Sequence, residues 1–256
     1  MKYLVWLNEV MGAGNHRSLK ALEHFGSAQK IYNATKTQRE TSGIFSKKEL
    51  TNMNKTPLSV ATEINSDCIN SGIEIIRIGD KRYPTSLRVI ENPPLLLYVK
   101  GKFPDFNNTP TISVVGPRKV SDYGKKAAYS LSFRLARSGF IVVSGGALGC
   151  DTYAHAGALK AKGITALVMG CGINADYLQK NKPLRDEIAK VGCLISEYSP
   201  KTMATKYSFP IRNSIMAALS LGTVLVDAPL TSGALITARL ANEMGRDLFV
   251  IPGAPD

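Results

Sequence analysis

The chain has 256 residues, of which 44% are hydrophobic, so it can bury a sizeable core in one or two domains and is not a disordered protein. Its 32 lysines and arginines exceed its 20 aspartates and glutamates and give a formal net charge of +12 at pH 7. This excess, which both halves of the chain share, favours an anionic partner such as nucleic acid, nucleotide or membrane phosphate. A solvated basic surface that binds no anion is the alternative.

The amino end and the cysteines argue against secretion and metal binding. The first residues, MKYLVWLNEVMGAG, are not typical of a signal peptide, because Asn8 and Glu9 interrupt the apolar run. No apolar run approaches the roughly 18 residues of a transmembrane helix. The four cysteines form no CxxC pair, and the three histidines lack zinc-ligand spacing. We expect a cytoplasmic protein with reduced cysteines, no membrane contact, and no metal or other cofactor.

Residues 1–70 are predicted to form a small helical domain. In GAGNHRSLKALEHFGSAQKIYNA, Leu19, Leu22 and Phe25 fall on one helix face, a pattern typical of sterile-alpha-motif or helix–hairpin–helix domains. Helix–hairpin–helix loops bind a DNA backbone through loop amides, here near Gly12–Gly14. A helical packing domain that binds no DNA is the alternative, and it is favoured because the glycine pair alone is a weak signal.

Residues 71–110 are predicted to connect the helical region to the rest of the chain. Before them, the polar segment Thr35–Pro57 is predicted to include a loop, and a helix is expected near Ser59–Ser71. A strand is expected at Ile73–Ile78, and a domain boundary at the turn-rich FPDFNNTP, Phe103–Pro110.

Residues 111–256 alternate short apolar runs with helical patterns. The predicted strands are Thr111–Val115, Phe140–Ser144, Ile164–Met169, Cys193–Ser196, Thr223–Asp227 and Asp247–Ile251. The predicted helices between them are Tyr123–Ser138, Asp151–Lys162, Pro183–Val191, Pro210–Leu221 and Ser232–Met244. Because the strands are apolar throughout, we expect them to be parallel and buried on both faces. The predicted fold is α/β, an extended Rossmann-like, doubly wound and mostly parallel sheet.

Several turns of this sheet are predicted to bind phosphate. Ligands of open α/β sheets bind at the carboxyl ends of the strands, where glycines admit close backbone approach and helix N-termini attract anions. The candidate residues are Gly116, Arg118 and Lys119 after the first strand, Ser144, Gly145 and Gly146 after the second, and Ser232 and Gly233 at the last helix. One glycine turn is weak evidence, whereas several on one sheet edge indicate an anion-binding rim.

A long connection after the fourth strand adds cations and rings to this rim. EYSPKTMATKYSF carries Lys206 and Phe209, and Arg212 and Asn213 begin the next helix. Basic residues interleaved with aromatics are typical of single-stranded nucleic acid binding. The alternative is a surface loop whose rings pack into the core, which is the favoured interpretation for Tyr207.

A catalytic interpretation rests on Ser144, Asp151 and His155, which could be drawn as a hydrolytic triad. Ser144 lacks a GxSxG elbow, and Asp151 is more simply a first-turn residue that favours the helix dipole. No P-loop motif GxxxxGK[ST] is present. The sequence therefore favours a protein that is not an enzyme.

The motifs of the second half resemble the DNA-processing protein A (DprA, also called Smf) family. The segments that carry the resemblance are SVVGPRKVSDYG, SGGALGCDTYAHAGAL, LISEYSP, FPIRNSIMAALS and SGALITARLANEMGRDLFVIPG, and YPTSL and NPPLLLYVKG match more weakly. The resemblance implies a single-stranded DNA-binding protein that protects incoming DNA in natural transformation, loads the RecA recombinase and forms a homodimer. It also implies that the chain ends before the family's core is complete.

The resemblance assigns roles by position. Arg118 matches the strand-end arginine for phosphate, Lys206 the loop lysine, Phe209 the aromatic near a base, and Arg212 the first arginine of an RNR motif. Two departures stand out, since Pro117 removes an amide donor from the first turn and the RNR motif ends in a serine. We expect the first and fourth strands of residues 111–256 to be neighbours, so that Arg118 and Lys206 face one crevice.

Two other functions stay open from the residues alone. Related Rossmann proteins, the Lonely-Guy-type nucleotide phosphoribohydrolases, carry PGGxGTxxE, whereas the matching segment here, LTSGALITARLANE, lacks the paired glycines. A nucleotide-sensing binding module is the third class. Nucleotide turnover tests the first alternative, and titration with free nucleotide against oligonucleotide tests the second.

Overall fold

A computed structural model describes residues 1–229 and 232–251. Within these residues, eight strands form one sheet in the order β1-β2-β6-β5-β4-β3-β7-β8. The strands are β1 (Ile73–Arg77), β2 (Leu96–Gly101), β3 (Thr111–Val115), β4 (Ile141–Ser144), β5 (Thr165–Met169), β6 (Cys193–Ser196), β7 (Gly222–Val226) and β8 (Asp247–Ile251). Strands β3 to β8 pair in parallel, and the two antiparallel pairings are β1 with β2 and β2 with β6.

Helices cover both faces of this sheet. They are α1 (Lys2–Met11), α2 (Arg17–Phe25), α3 (Ala28–Asn33), α4 (Lys36–Thr41), α5 (Lys47–Lys55), α6 (Leu58–Asn70), α7 (Thr85–Arg88), α8 (Asp122–Arg137), α9 (Cys150–Lys160), α10 (Lys182–Val191), α11 (Ser208–Leu219) and α12 (Ala234–Glu243), with a 3₁₀ turn at Gln179–Asn181. The predicted α/β fold with a mostly parallel, doubly wound sheet is confirmed.

Two details of the predicted sheet are wrong. Strands β3 and β6, the first and fourth of residues 111–256, are not neighbours, because β4 and β5 lie between them. Strand β8 is an edge strand of the described sheet, so Leu248, Phe249 and Val250 are exposed rather than buried on both faces. An unbroken apolar run does not by itself distinguish a central strand from an edge strand.

The side chains of successive strand residues point to opposite faces and supply two cores. In β5, Leu167 packs under the amino-terminal helices, whereas Val168 packs under α11 and α12. The helices α8 and α9 cover the neighbouring strands on the first face. This alternation follows from the period of two along a strand.

Five amino-terminal helices, α1, α2, α3, α5 and α6, share a core with the sheet. Trp6 of α1 is fully buried in the same cluster as Tyr98 of β2 and Leu194 of β6. Residues 71–110 contribute β1, β2 and α7, so they extend the sheet itself. The division into domains of residues 1–70, 71–110 and 111–256 stays a prediction.

The segment Thr35–Pro57 includes a loop at residues 42–46, and this loop joins two helices that were not predicted from the sequence. Both begin with a capping box, in which the Thr35 or Ser46 side chain accepts an amide and the Gln38 or Glu49 side chain accepts the amide of the cap residue. The patterns TKTQ and SKKE carry this signal in the sequence.

The Gly12–Gly14 loop packs against the sheet. The Gly14 amide donates a 2.7 Å hydrogen bond to Glu197 Oε1, and a Cβ on Gly14 would contact the Ile211 side chain at 3.0 Å. The amide that a helix–hairpin–helix would present to a DNA backbone is therefore already paired within the protein. In the described chain no helix is long and apolar enough to cross a membrane.

Candidate nucleic-acid interface

A cavity of about 250 Å³ opens where the strand order reverses. The chain winds outward from β3 in one direction through β4 to β6 and in the other through β7 and β8, so β3 and β7 flank the switch point. Gly116 and Arg118 follow β3, and Ser232 and Gly233 precede α12; all four line the cavity. The position is the one at which open α/β sheets bind ligands.

Two arginines in different environments line this cavity. Arg118 is exposed, and its guanidinium lies 5.6 Å from the centroid of the Phe209 ring. Arg212 is only 7% exposed; its Nη1 donates to the Val168 carbonyl at 3.0 Å, and its Nε has no partner in the described structure. Burial lowers the pKa of Arg212, and the nearby Asp151 charge opposes this shift. An anion in the cavity would give the Arg212 guanidinium a counter-charge that the protein supplies only in part.

The glycine turn after β4 fits against Arg212. A Cβ on Gly145 would lie 1.6 Å from Arg212 Nη1, so only glycine leaves room for the guanidinium. Asn181 Nδ2 donates to the Gly146 carbonyl at 3.0 Å and so holds the turn from the other side. Gly145 and Gly146 line a second, smaller cavity, which shares Phe209 and Arg212 with the first.

Phe209 stands between the two cavities. Its ring is half-buried. The Tyr177 ring centroid lies 5.8 Å from the Phe209 centroid, and the Arg118 guanidinium lies 5.6 Å from it. A Cβ on Gly170 would lie 3.0 Å from the ring. Arg118 and Phe209 follow strands β3 and β6, which are not neighbours in the sheet. They lie close together because the connection after β6 extends to the turn after β3.

The remaining predicted residues lie in four settings. Asn213 is 7% exposed and lines the larger cavity. Ser144 is fully buried, and its hydroxyl donates to the Val114 carbonyl at 2.7 Å, so its side chain is committed to the sheet. Lys119 is exposed in a neighbouring groove beside Asp227, and Lys206 is exposed with its ammonium 5.0 Å from a ring centroid of the next residue.

The prediction that Tyr207 packs into the core is wrong. Its side chain is 71% exposed and lies under the Lys206 ammonium. The start of α11 turns Ser208 inward, where its hydroxyl donates to the Thr205 carbonyl at 2.8 Å, and this leaves Tyr207 outside. No local signal in the sequence distinguishes the two rings of YSF.

The three residues of the catalytic interpretation are not joined as a relay. In the described structure His155 Nδ1 lies 2.7 Å from Thr165 Oγ1, Asp151 Oδ2 accepts the Ala147 amide at 3.1 Å, and Ser144 bonds to a strand carbonyl. Burial lowers the pKa of His155 to about 3, so the imidazole is neutral at physiological pH. Among residues 1–229 and 232–251, no three His, Cys, Asp or Glu side chains cluster as a metal site.

Fold and site together define a Rossmann-like protein with an arginine-lined cavity at the switch point of the sheet. The DNA recombination-mediator protein A family matches residues 74–256, and the chain belongs to this family. The DNA processing protein DprA of Bacillus subtilis is 40% identical over 183 residues, which are 72% of this chain and 62% of that protein. DprA of Streptococcus pneumoniae is 40% identical over 177 residues, or 69% of this chain and 62% of that protein. The chain thus spans less than two thirds of these relatives.

Two solved structures extend the comparison. The X-ray structure of DprA from Streptococcus pneumoniae has a TM-score of 0.84 and 30% identity, and covers 99% of this chain and 87% of that chain. DprA from Helicobacter pylori, described for its single-stranded DNA binding mode, has a TM-score of 0.65 and 32% identity, and covers 73% of this chain and 84% of that chain. The first match includes the amino-terminal helices that precede the family match.

Proposed function

We propose that the chain binds single-stranded DNA with a backbone phosphate in the larger cavity. The observation that carries the proposal is that Arg118, the buried Arg212 and the start of α12 line one cavity. The helix dipole at the N-terminus of α12 attracts an anion, and Arg212 Nε is a buried donor without a partner in the described structure. The match to the DprA of Helicobacter pylori supports the same ligand.

Rings beside the cavity favour unpaired bases over a duplex. Phe209 offers a half-buried ring between two cavities, and Tyr207 offers an exposed ring two residues earlier. Bases stack on aromatic side chains only when they are unpaired, and stacking tolerates any base. Lys119 and Lys206, both exposed nearby, would meet flanking phosphates without reading sequence.

The wider role follows from the family. We propose that the chain protects incoming DNA in natural transformation, loads the RecA recombinase and acts as a homodimer. The family's description as a recombination mediator supports this role. His155 is hydrogen-bonded to Thr165 and to neither Ser144 nor Asp151, which supports a binding protein without hydrolytic activity.

A pair of binding isotherms tests the proposed ligand. Labelled oligothymidylate and a duplex of equal length are titrated by fluorescence anisotropy over a range of salt concentrations. We expect tighter binding to the single strand and a log–log salt slope of about −0.7 for each phosphate neutralised. Equal affinity for both forms, or a flat salt dependence, would overturn the proposal. Incubation of the same protein with nucleoside monophosphates tests hydrolysis; turnover that disappears in His155→Ala would favour the enzyme class.

A further inference from the structure

The larger cavity has a charge balance of its own. Among its described lining residues, three side chains ionise: Arg118, Arg212 and Asp151. Two positive charges and one negative charge leave a formal charge of +1. Lys119 and Lys206 lie outside the lining and are exposed, where water and salt screen their charges.

Asp151 is built into the cavity wall. It lies in the first turn of α9, is 7% exposed, and accepts the Ala147 amide at 3.1 Å. In the described structure no lysine or arginine nitrogen lies within the 4.0 Å of an ion pair from its carboxylate. Arg212 donates instead to the Val168 carbonyl. Burial raises the pKa of the Asp151 carboxyl, and the nearby Arg212 charge, the Ala147 amide and the Ser144 hydroxyl oppose this shift. Because Asp151 has no direct ion-pair partner, a ligand in the cavity lies in the field of its carboxylate.

The two common forms of a DNA phosphate differ in charge, so they interact differently with the Asp151 carboxylate. An internal phosphodiester carries one negative charge, whereas a terminal phosphomonoester carries about −1.5 to −2 near neutral pH because its second pKa is about 6. In the buried wall the charges of Arg212 and Asp151 offset each other, and the charge of the exposed Arg118 is screened by water. The second charge of a monoester is therefore desolvated in the cavity and repelled by the Asp151 carboxylate without a buried counter-charge of its own, whereas a diester brings no second charge.

We propose that Asp151 makes the cavity selective for monoanionic phosphodiesters over dianionic phosphomonoesters. The inference rests on the proposed function and specifies its ligand. A protein with this selectivity binds the interior of a strand and leaves phosphorylated ends free. Asp151 acts here as a specificity residue, through its charge, and contributes no chemistry.

A matched pair of small ligands tests the selectivity. Thymidine 5′-monophosphate and its 5′-methyl ester differ by one methyl group and one ionisation, and each is used at about pH 8 to displace labelled oligothymidylate at constant ionic strength. We expect the methyl ester to bind about tenfold more tightly to the unaltered protein, a difference of about 1.4 kcal/mol. Equal binding of the two ligands would overturn the inference.

Asp151→Asn keeps an oxygen for the Ala147 amide and removes the charge. We expect the preference to fall below about threefold, through a gain in monoester binding, because the negative field is gone. Asp122→Asn is the control: Asp122 is exposed in the first turn of α8, paired with Lys125 at 2.7 Å and outside the cavity, so the preference should persist. An unchanged preference in Asp151→Asn would overturn the inference.

A second measurement needs no variant. Between about pH 5 and pH 8 the monoester gains its second charge and the methyl ester does not. We expect monoester affinity to fall with rising pH relative to methyl ester affinity. The cavity groups that face the ligand, Arg118, Arg212 and Asp151, act on both ligands, and the buried His155 beneath them stays neutral because its pKa is lowered to about 3. Parallel pH profiles would overturn the inference. Failure of the oligonucleotide itself to bind would instead overturn the proposed function.

Discussion

At the scale of single residues, burial separates the side chains that shape the site from those that can meet a ligand. Arg212 and Ser144 are held by carbonyls inside the sheet, so their substitution acts on the fold as well as on binding. Arg118 and Lys206 are exposed and make no ion pair in the described structure, so their charges are available to phosphate. The two groups therefore call for different measurements.

Arg118→Ala and Lys206→Ala should each weaken oligonucleotide binding for every sequence. Each should also reduce the steepness of the salt dependence by about 0.7, because one phosphate loses its cation. Anisotropy titrations at several salt concentrations measure both effects. Arg134→Ala is the control, since Arg134 is exposed near the far end of α8, at the opposite edge of the sheet. An unchanged salt slope in Arg118→Ala would mean that Arg118 contacts no phosphate of the bound oligonucleotide.

Phe209→Ala should lower affinity by roughly 1–3 kcal/mol and leave the salt slope unchanged, because stacking neutralises no charge. Phe133→Ala is a matched control: this half-buried ring also has an arginine guanidinium near its centroid, at 5.8 Å, but lies on α8 away from the cavity. Thermal melting accompanies both variants. A large fall in the melting temperature of Phe209→Ala would assign the ring to packing instead.

Glu197 should make stability depend on pH. Burial raises its carboxyl pKa to about 7, although the Gly14 amide opposes the shift. The folded state therefore binds the proton more tightly than the unfolded state, and stability falls as pH rises from about 4.5 to about 7. Glu197→Gln should remove this fall and raise stability above pH 7, by on the order of 3 kcal/mol. Denaturant titrations at low and high pH measure it.

The control for that experiment is Glu63→Gln, an exposed position on α6 that should change stability little at either pH. If Glu197→Gln gained no stability at high pH relative to low pH, the carboxylate would be solvated or paired in the folded protein.

At the scale of elements, the site is formed by turns and helix starts at the carboxyl ends of several strands. The turns after β3 and β4, the connection after β6 and the start of α12 each contribute part of the cavity wall. The turn after β4 packs against Arg212 of α11, because Gly145 leaves room for the guanidinium.

Gly145→Ala should reduce oligonucleotide affinity. Its Cβ would lie 1.6 Å from Arg212 Nη1, so the guanidinium must leave its hydrogen bond to the Val168 carbonyl. We expect a loss of about 1–3 kcal/mol in stability, the cost of unpairing a buried polar group. Gly79→Ala is the control, because Gly79 is exposed outside both cavities and no atom lies within 4 Å of a Cβ there. Thermal melting measures the stability of both variants, and fluorescence anisotropy measures their affinity for the oligonucleotide. Equal stability and equal affinity of the two variants would contradict this role of Gly145.

At the scale of the whole molecule, the amino-terminal helices and the sheet form one packed body. Trp6 of α1 is fully buried in the hydrophobic core that the amino-terminal helices share with the sheet. Its Nε1 donates to the Thr56 carbonyl at 2.7 Å. The Gly14–Glu197 hydrogen bond adds a polar link between the same layers.

Unfolding should therefore be a single cooperative transition. Trp6 is the only tryptophan, so its fluorescence reports the helical layer, whereas far-UV circular dichroism reports the whole chain. We expect the two signals to coincide in a denaturant titration because the layers share a core. Two separate transitions would instead support residues 1–70 as an independent domain.

Much of this architecture is predictable from local patterns. Apolar runs of four or five residues, such as CLIS and TISVV, mark strands whose bounds agree with the structure, because parallel strands buried on both faces are apolar throughout. Arg118, Phe209 and the glycine turns follow from the rule that ligands bind at the carboxyl ends of strands. The basic excess indicates an anionic ligand by the same elementary reasoning.

Only the tertiary structure decided which of these residues meet. Strand order is a property of the whole sheet, so the sequence neither excluded a β3–β6 pairing nor showed that Phe209 reaches Arg118. The exposure of Tyr207, the burial of Arg212 and the place of Asp151 in the cavity wall depend on which helix covers which strand. Side-chain environment is set by contacts between distant segments, and local periodicity carries no record of those contacts.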